Sequence, residues 1–246
     1  MPVFFVPPEC ITSPTISITG DLLIHLRDSL RITVGEIVLF GDGASHRYRV
    51  EITDVSKRAI IGRILKAVQK PPRTTPRLIL GQSLLKGEKM DWVVQKAVEL
   101  GVDELVPVES RHSVVQLRAD RVDHQLSRWQ RIAVEAAQQS EQWRVLTITA
   151  PQSLAALLKN RPTGTVTIML TERRDGKNLQ TVLLPTEPTD SVLIVIGPEG
   201  GWSQEELALA EQAGIQPITL GPSILRAETA AIAAISILQS RLGNLG

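Results

Sequence analysis

The stretch that decides the fold is Val192-Leu193-Ile194-Val195-Ile196-Gly197-Pro198-Glu199-Gly200-Gly201. Its first half is short, β-branched and ended by glycine and proline, which predicts a buried strand followed by a tight turn. A second glycine-proline turn, Leu220-Gly221-Pro222-Ser223, follows another strand-like run and precedes an alanine-rich helix. Because ligand sites of open α/β sheets lie at the carboxyl ends of the strands, both turns are expected at one such edge.

These two loops admit two interpretations. They are either a pair of ordinary tight turns in an α/β domain, or backbone that comes close to a bound ligand. Neither loop has the Gly-x-Gly-x-x-Gly spacing of a dinucleotide site, and neither has the Lys-Ser/Thr that ends a phosphate loop. A phosphate-bearing cofactor is therefore disfavoured, whereas a neutral or cationic nucleoside is compatible with both loops.

Several motifs together resemble a known family. The first loop and the segment Leu220-Gly221-Pro222-Ser223-Ile224-Leu225-Arg226-Ala227-Glu228-Thr229-Ala230 are similar to the two signature loops of the RsmE family. Further parts of the family pattern are similar to residues 95–102, Arg128-Trp129, Glu135-Ala136-Ala137 and Gln139-Ser140. The resemblance covers nearly the whole chain.

The resemblance implies a fold, a reaction and partners. The expected fold class is α/β, with a C-terminal SPOUT domain that has a mainly parallel sheet and a deep trefoil knot, plus a small N-terminal PUA-like β-barrel. The expected activity is S-adenosyl-L-methionine-dependent methylation of N3 of a uridine in 16S ribosomal RNA, within the assembled 30S particle. A homodimer is also implied, with the cofactor site near the subunit interface.

The composition is typical of a soluble protein from a reducing compartment. The chain has 246 residues, 43% of them hydrophobic, which suffices for a substantial core in one or two domains. The single cysteine, Cys10, excludes an internal disulfide. The N-terminus does not resemble a signal peptide, and the longest apolar stretch, residues 230–238, is too short to span a bilayer. The histidines lack metal-binding spacing. We expect a cytoplasmic protein without a metal or a membrane partner.

The charge is uneven along the chain, although the net charge is only +1. Residues 1–77 hold 11 Lys and Arg against 7 Asp and Glu, whereas the remainder holds 16 against 19. This difference favours a basic N-terminal surface that meets RNA phosphates. A chance excess of basic residues on a solvated surface is the alternative interpretation.

The order of predicted elements indicates two domains. Short β-type runs occur at residues 31–35, 36–40, 47–52 and 59–65, with a hairpin turn at Gly41-Asp42-Gly43, and their close spacing suggests a small barrel. The proline-rich residues 70–76 form a linker. We therefore expect a PUA-like RNA-binding domain at residues 1–72 and a SPOUT methyltransferase domain at residues 73–246.

Strands and helices alternate after the linker. Strands are predicted at residues 77–81, 104–108, 165–170 and 192–196, and helices at 89–100, 119–139, 203–214 and 227–238. Gly101 is expected just beyond the end of one helix, and Ser203 with Glu206 forms a capping box at the start of another. This alternation predicts a mainly parallel sheet covered by helices on both faces.

The candidate cofactor residues surround the two loops. Backbone groups of tight loops can recognise the uncharged edge of adenine, and neighbouring apolar side chains can sandwich the base, although each is equally compatible with plain core packing. Together with the resemblance, this predicts cofactor binding by Leu170, Thr171, Glu172, Ile196, Gly197, Pro198, Glu199, Gly200, Gly201, Leu220, Gly221, Ile224, Leu225, Arg226 and Thr229.

Arg226 is the candidate catalytic residue. N3 of uridine must lose a proton before it attacks a methyl group, and a fixed guanidinium can stabilise the negative charge that develops. Glu199 is a candidate base, although a carboxylate is weak for this task unless its pKa is raised. The alternative is that Arg226 and Glu228 form an ordinary ion pair at a helix N-terminus.

Arginines of the N-terminal part, together with Arg111, are candidate RNA contacts because phosphate contacts position RNA without reading its sequence. These candidates are Arg27, Arg31, Arg47, Arg49, Arg63 and Arg111. The chain departs from the family pattern at Val3, His112 and Gln142, where arginine is common in the family, so RNA contacts cannot be transferred from those positions.

Two other functions are weighed against the methyltransferase. One is a ribosome-assembly protein of the same fold that binds RNA but has no activity, and intact glycine loops with Arg226 disfavour it. The other is a nucleotide-dependent α/β enzyme, which the missing phosphate motifs disfavour. The sequence leaves open the target nucleotide, the choice between free RNA and assembled subunit, and the group that removes the N3 proton.

Overall fold

The computed structural model describes residues 3–172 and 177–246, which form two compact units. One unit comprises Met1–Pro72 with Ala137–Val145, and the other comprises Arg73–Ala136 with Leu146–Gly246. The segment 137–145 joins the first unit although it lies far from it in sequence, a return that no local pattern indicates.

The first unit is built on a six-stranded sheet with short helical segments. Its strands are β1 (Val3–Phe5), β2 (Ile11–Thr12), β3 (Thr15–Ile18), β4 (Ile37–Gly41), β5 (His46–Val55) and β6 (Ile60–Gln69). They lie in the order β1-β4-β5-β6-β3-β2, with β1 parallel to β4 and the other pairs antiparallel. Alternate residues of the strands, among them Phe40, Val50 and Ile52, are buried in one apolar cluster.

Two local predictions for this unit differ from the structure. The predicted strand at residues 31–35 is wrong, because Arg31 has a φ of 54° and a turn follows at Val34 and Gly35, so the chain cannot extend there. The sequence prediction also missed α1 (Gly20–Ile24), which continues as a π-helical turn at His25–Ser29. Leu23 and Leu26 bury one side of this segment at helical spacing.

The predicted turn after β4 is confirmed and is built around one carboxylate. Asp42 Oδ1 accepts backbone N–H bonds from Ala44, Ser45 and His46 at 2.8, 2.8 and 2.9 Å. Burial alone would raise the pKa of Asp42, but these hydrogen bonds and one from the His46 ring outweigh it and lower the pKa.

The second unit alternates strands and helices as predicted. Its strands are β7 (Arg77–Ser83), β8 (Glu104–Glu109), β9 (Thr147–Ile148), β10 (Gln152–Ser153), β11 (Thr165–Leu170), β12 (Lys177–Asn178), β13 (Ser191–Ile196) and β14 (Pro217–Thr219). Its helices are α2 (Lys89–Glu99), α3 (Val122–Gln139), α4 (Leu154–Asn160), α5 (Gln204–Gln212) and α6 (Ala227–Arg241). The last turn of α3 belongs to the first unit. The capping box at Ser203 and the left-handed Gly101 after α2 are both confirmed.

The sheet of this unit is parallel throughout its described pairs. Its order is β10-β8-β7-β13-β11-β14-β12, with β9 beside β8. β13 lies between β7 and β11, and all six of its residues are buried. One set of alternate residues packs against α4 and α5, and the other set, including Leu80 and Ile194, is equally buried, so both faces are covered.

This topology gathers the carboxyl ends of β7, β11, β13 and β14 at one edge, where both glycine loops emerge. α6 follows the second loop and contacts α2 and β13. The threading of the chain into a trefoil knot stays a prediction. Within the described residues, we find no helix with the length and apolar character needed to cross a membrane.

Candidate functional site

A cavity of about 580 Å³ opens at the carboxyl edge of the parallel sheet. It is framed by the ends of β11, β13 and β14 and by the first turns of α5 and α6. Its volume is in the range of small-molecule sites. The residues that line it are Leu170, Thr171, Glu172, Ile196, Gly197, Pro198, Glu199, Gly200, Gly201, Trp202, Gln204, Leu207, Thr219, Leu220, Gly221, Pro222, Ser223, Ile224, Leu225, Arg226, Ala227 and Ala230.

The structure brings together every predicted cofactor residue except Thr229, which is exposed on the first turn of α6 and does not line the cavity. Ile196 is only 1% exposed and packs mainly in the core, whereas Ile224 is 68% exposed at the cavity rim. The lining residues that the sequence prediction missed are Trp202, Gln204, Leu207, Thr219, Pro222, Ser223, Ala227 and Ala230. The first three follow the first loop, where the capping box at Ser203 already placed a helix start. That these residues bind a cofactor stays a prediction.

Trp202 holds the first loop against the end of β11. Its Nε1–H donates to the backbone oxygen of Leu170 at 2.9 Å. The indole lies so close to Gly197 that a Cβ there would be 3.1 Å from ring atoms Cε2 and Nε1. Glycine at position 197 therefore allows the tryptophan to join two walls of the cavity.

His112 supports the same loop from the other side. A Cβ on Gly200 would lie 2.9 Å from Cβ of His112, closer than real Cβ contacts permit. The His112 Nδ1 lies 3.2 Å from the carbonyl oxygens of both Gly200 and Gly201. Because both partners are acceptors, Nδ1 must carry the hydrogen. The departure from the family pattern at residue 112 thus places a loop-supporting imidazole beside the cavity.

The second loop is shaped by Thr219 and Gly221. The Thr219 hydroxyl accepts from the N–H of Gly221 at 3.2 Å and donates to its carbonyl oxygen at 3.0 Å. Gly221 has a φ of 140°, which side chains rarely adopt. At the end of β11, Thr171 N–H donates to Ile218 O at 2.9 Å on the neighbouring strand β14, and the buried Thr171 Oγ1 has no hydrogen-bond partner among the described residues.

Arg226 and Glu228 do not form the ion pair that the sequence left open. Glu228 instead approaches Lys89, with 3.6 Å between Nζ and Oε2. Among the described residues, the exposed Arg226 side chain has no hydrogen-bond or ion-pair partner. Its guanidinium is therefore available at the cavity rim.

Glu199 is held by the segment that begins α2. Its Oε1 accepts from Lys89 Nζ at 3.1 Å and from the N–H of Lys86 at 3.4 Å. Burial alone would raise the pKa of Glu199, but these bonds, its own N–H and the Lys89 charge together lower it. A base for uridine N3 requires the opposite shift, so this environment disfavours Glu199 as the general base.

The cavity suits a nucleoside with a sulfonium better than a phosphate ester. Its walls offer backbone from two glycine-containing loops and aliphatic side chains, and its charged lining residues are Glu172, Glu199 and Arg226. These groups fit the adenosine and the positive charge of S-adenosyl-L-methionine. Within residues 3–172 and 177–246, no group of three or more His, Cys, Asp or Glu could hold a metal ion.

The predicted RNA-binding arginines fall into two groups. Arg27 pairs with Asp28 at 2.6 and 2.8 Å, and Arg63 pairs with Glu51 at 2.6 Å. Arg47 lies 4.1 Å from the ring centre of Trp143 in the returning segment 137–145. Burial lowers the pKa of Arg47, against an opposite effect of Glu141.

The other predicted arginines, Arg31, Arg49 and Arg111, are exposed, and no side-chain hydrogen bond or ion pair holds them within the described part of the chain. Arg49 lies directly opposite Lys66 on β6. Like charges at directly opposite positions destabilise a sheet unless an anion compensates them.

The family models define the class of protein. Residues 72–239 match the RNA methyltransferase domain, and residues 18–65 match the RNA methyltransferase PUA domain. The chain is therefore an RNA methyltransferase with an N-terminal PUA-like domain. The predicted fold class is confirmed for the two kinds of domain and for the parallel sheet.

Relatives make the assignment narrower. The chain is 30% identical over 231 residues to ribosomal RNA small subunit methyltransferase E of Bacillus subtilis, covering 92% of this chain and 90% of the relative. It matches the crystal structure of the Neisseria gonorrhoeae methyltransferase E bound to S-adenosyl methionine with a TM-score of 0.86, 30% identity and 98% of each chain. A Legionella pneumophila methyltransferase in complex with the same cofactor gives a TM-score of 0.86 at 28% identity, covering 97% of each chain. The chain belongs to the ribosomal RNA small subunit methyltransferase E family, as the sequence motifs predicted.

Proposed function

We propose that this chain transfers the methyl group of S-adenosyl-L-methionine to N3 of a uridine in 16S ribosomal RNA. The observation that carries the proposal is the cavity at the carboxyl edge of the sheet, with both glycine loops in its walls and a free arginine at its rim. Family membership and the cofactor-bound structures of two relatives support it.

The loops recognise the cofactor mainly through backbone. Residues 197–201 and 220–222 present N–H and C=O groups to the adenine edge, while Leu170, Leu220 and Leu225 supply apolar contacts.

Arg226 supports the chemical step. The cofactor, when bound, supplies an electrophilic methyl group. Loss of the N3 proton leaves negative charge on the uracil ring, and the guanidinium stabilises that charge as it develops. The same interaction lowers the pKa of N3 in the bound RNA, so the proton can pass to solvent water and a strong protein base is not required.

The two domains have different roles in the reaction. Residues 1–72 form the RNA-binding domain and residues 73–246 the catalytic domain. Arg31 contacts phosphates, and so does Arg49, which lies opposite Lys66. Exposed like charges that face each other on β5 and β6 support this role. The substrate is the 30S particle in the cytoplasm, and the active form is a homodimer.

The test is methyl transfer to small subunits from a strain that lacks this protein. We expect labelled methyl groups to enter 16S RNA in 30S particles, with mass mapping of nucleosides placing them on uridine N3. Binding to the particles without any transfer would instead show an inactive assembly protein. Transfer to free 16S RNA at the same rate would refute the particle as the preferred substrate.

A further inference from the structure

One lysine joins the two loops that frame the cofactor cavity. Lys89 is the first residue of α2, and its Nζ lies 3.1 Å from Glu199 Oε1 and 3.6 Å from Glu228 Oε2. Glu199 belongs to the loop after β13, whereas Glu228 lies in the first turn of α6, directly after the loop that follows β14. A single ammonium from a third segment therefore contacts both cavity-forming segments.

The charges in this cluster do not balance without the lysine. Glu228 is only 14% exposed in its side chain, and its Oε2 accepts no hydrogen bond from any described residue. Lys89 is therefore the cation that the described structure offers to this carboxylate, and it is shared with Glu199. Removing the lysine would leave two carboxylates facing each other, which repel when both are ionised.

Neither Lys89 nor Glu228 lines the cavity, whereas residues of both loops that they connect do. We propose that Lys89 is a positioning residue that fixes the separation of the two glycine loops and hence the shape of the cofactor site. This inference rests on the proposed function, because it concerns the same cavity.

The test uses charge removal with a matched control on the same helix. Lys89→Met keeps the apolar stem but removes the ammonium, and Lys96→Met does the same to a lysine that pairs with Glu99 at 2.8 Å away from the cavity. Calorimetric titration with S-adenosylmethionine and with its demethylated product, without RNA, measures binding apart from catalysis. We expect about tenfold weaker binding of both compounds to Lys89→Met, wild-type binding to Lys96→Met, and substantial recovery in Lys89→Arg.

A second-site change separates positioning from a direct charge effect. If repulsion opens the loops, Glu228→Gln in the Lys89→Met background removes one of the two carboxylates and restores affinity. If Lys89→Met instead tightens the cationic cofactor and leaves the neutral product unchanged, the lysine acts by direct repulsion and the positioning role is wrong. Unchanged affinity for both compounds would also overturn it. Failure of the wild type to bind either compound would refute the proposed function itself.

Discussion

Gly200→Ala should weaken cofactor binding because the position has no room for one methyl group. The new Cβ would lie 2.9 Å from Cβ of His112 and 3.2 Å from its carbonyl oxygen. Neither atom can swing away, since one is backbone and the other is attached to it. Overpacking of this kind costs about 1–3 kcal/mol. If the loop moves to relieve the contact, affinity falls by about 5-fold to 150-fold.

The assay is calorimetric titration with S-adenosylmethionine, combined with urea denaturation of each variant. Gly214→Ala is the matched control, because Gly214 has a φ of 75° after α5, has open space around it and does not line the cavity. That change should cost about 1 kcal/mol of stability through backbone strain and leave the affinity unchanged. The control thus separates a general loss of stability from distortion of the loop.

A double variant identifies the contact that matters. His112→Gly removes the Cβ that Gly200→Ala would meet. Gly200→Ala should therefore reduce cofactor affinity much less in the His112→Gly background than in the wild type. The reasoning is refuted if Gly200→Ala leaves affinity unchanged, or if its cost is the same with and without the His112 side chain.

Three further predictions concern the arginine, the tryptophan and the turn aspartate. Arg226→Ala should lower the turnover number about 100-fold or more while changing cofactor affinity little, as measured by single-turnover methyl transfer and calorimetry; equal loss of both would contradict a transition-state role. Trp202→Phe should weaken cofactor binding, because the hydrogen bond to Leu170 O at 2.9 Å is lost while an aromatic ring is kept; calorimetric titration with S-adenosylmethionine measures this. Asp42→Asn should lower the free energy of unfolding by about 1–2 kcal/mol at pH 7. The folded-state pKa of Asp42 is lowered, so its contribution to stability is present above the ordinary carboxyl pKa of about 4 and is lost as the pH falls through the folded-state pKa. The denaturation curves of the wild type and Asp42→Asn should therefore converge in acid.

The parts of the fold that the sequence predicted correctly are those with a local cause. The run that became β13 is apolar on both faces and ends in glycine, and Ser203 with Glu206 closes a capping box within one turn. Predictions failed where the cause is not local to the run. Residues 31–35 have strand-forming side chains, yet the backbone at Arg31 is left-handed, and α1 is too short for its apolar spacing to stand out.

The candidate site shows the same division. The two loops could be recognised as parts of one site because parallel strands bring their carboxyl ends together. The residues that hold these loops in place could not be predicted, because they contact the loops from positions far away in the sequence. His112 contacts carbonyl groups of Gly200 and Gly201, and no spacing rule links these positions. Such contacts can be predicted only once the strand order is known.

The position of Lys89 links the cofactor site to the chemical step. Arg226 is free at the rim, whereas Glu228, two residues further along, lies 3.6 Å from Lys89. In Lys89→Met, Glu228 loses its ion-pair partner among the described residues, and Arg226 is the nearest basic side chain along the chain. The freed carboxylate should then attract the guanidinium away from the uracil ring, so the turnover number should fall even at saturating cofactor. Glu228→Gln should restore it in the same background. If Lys89→Met changes only cofactor affinity and leaves the turnover number at saturating cofactor at its wild-type value, the lysine does not control the availability of Arg226. Its role is then limited to the positions of the two loops.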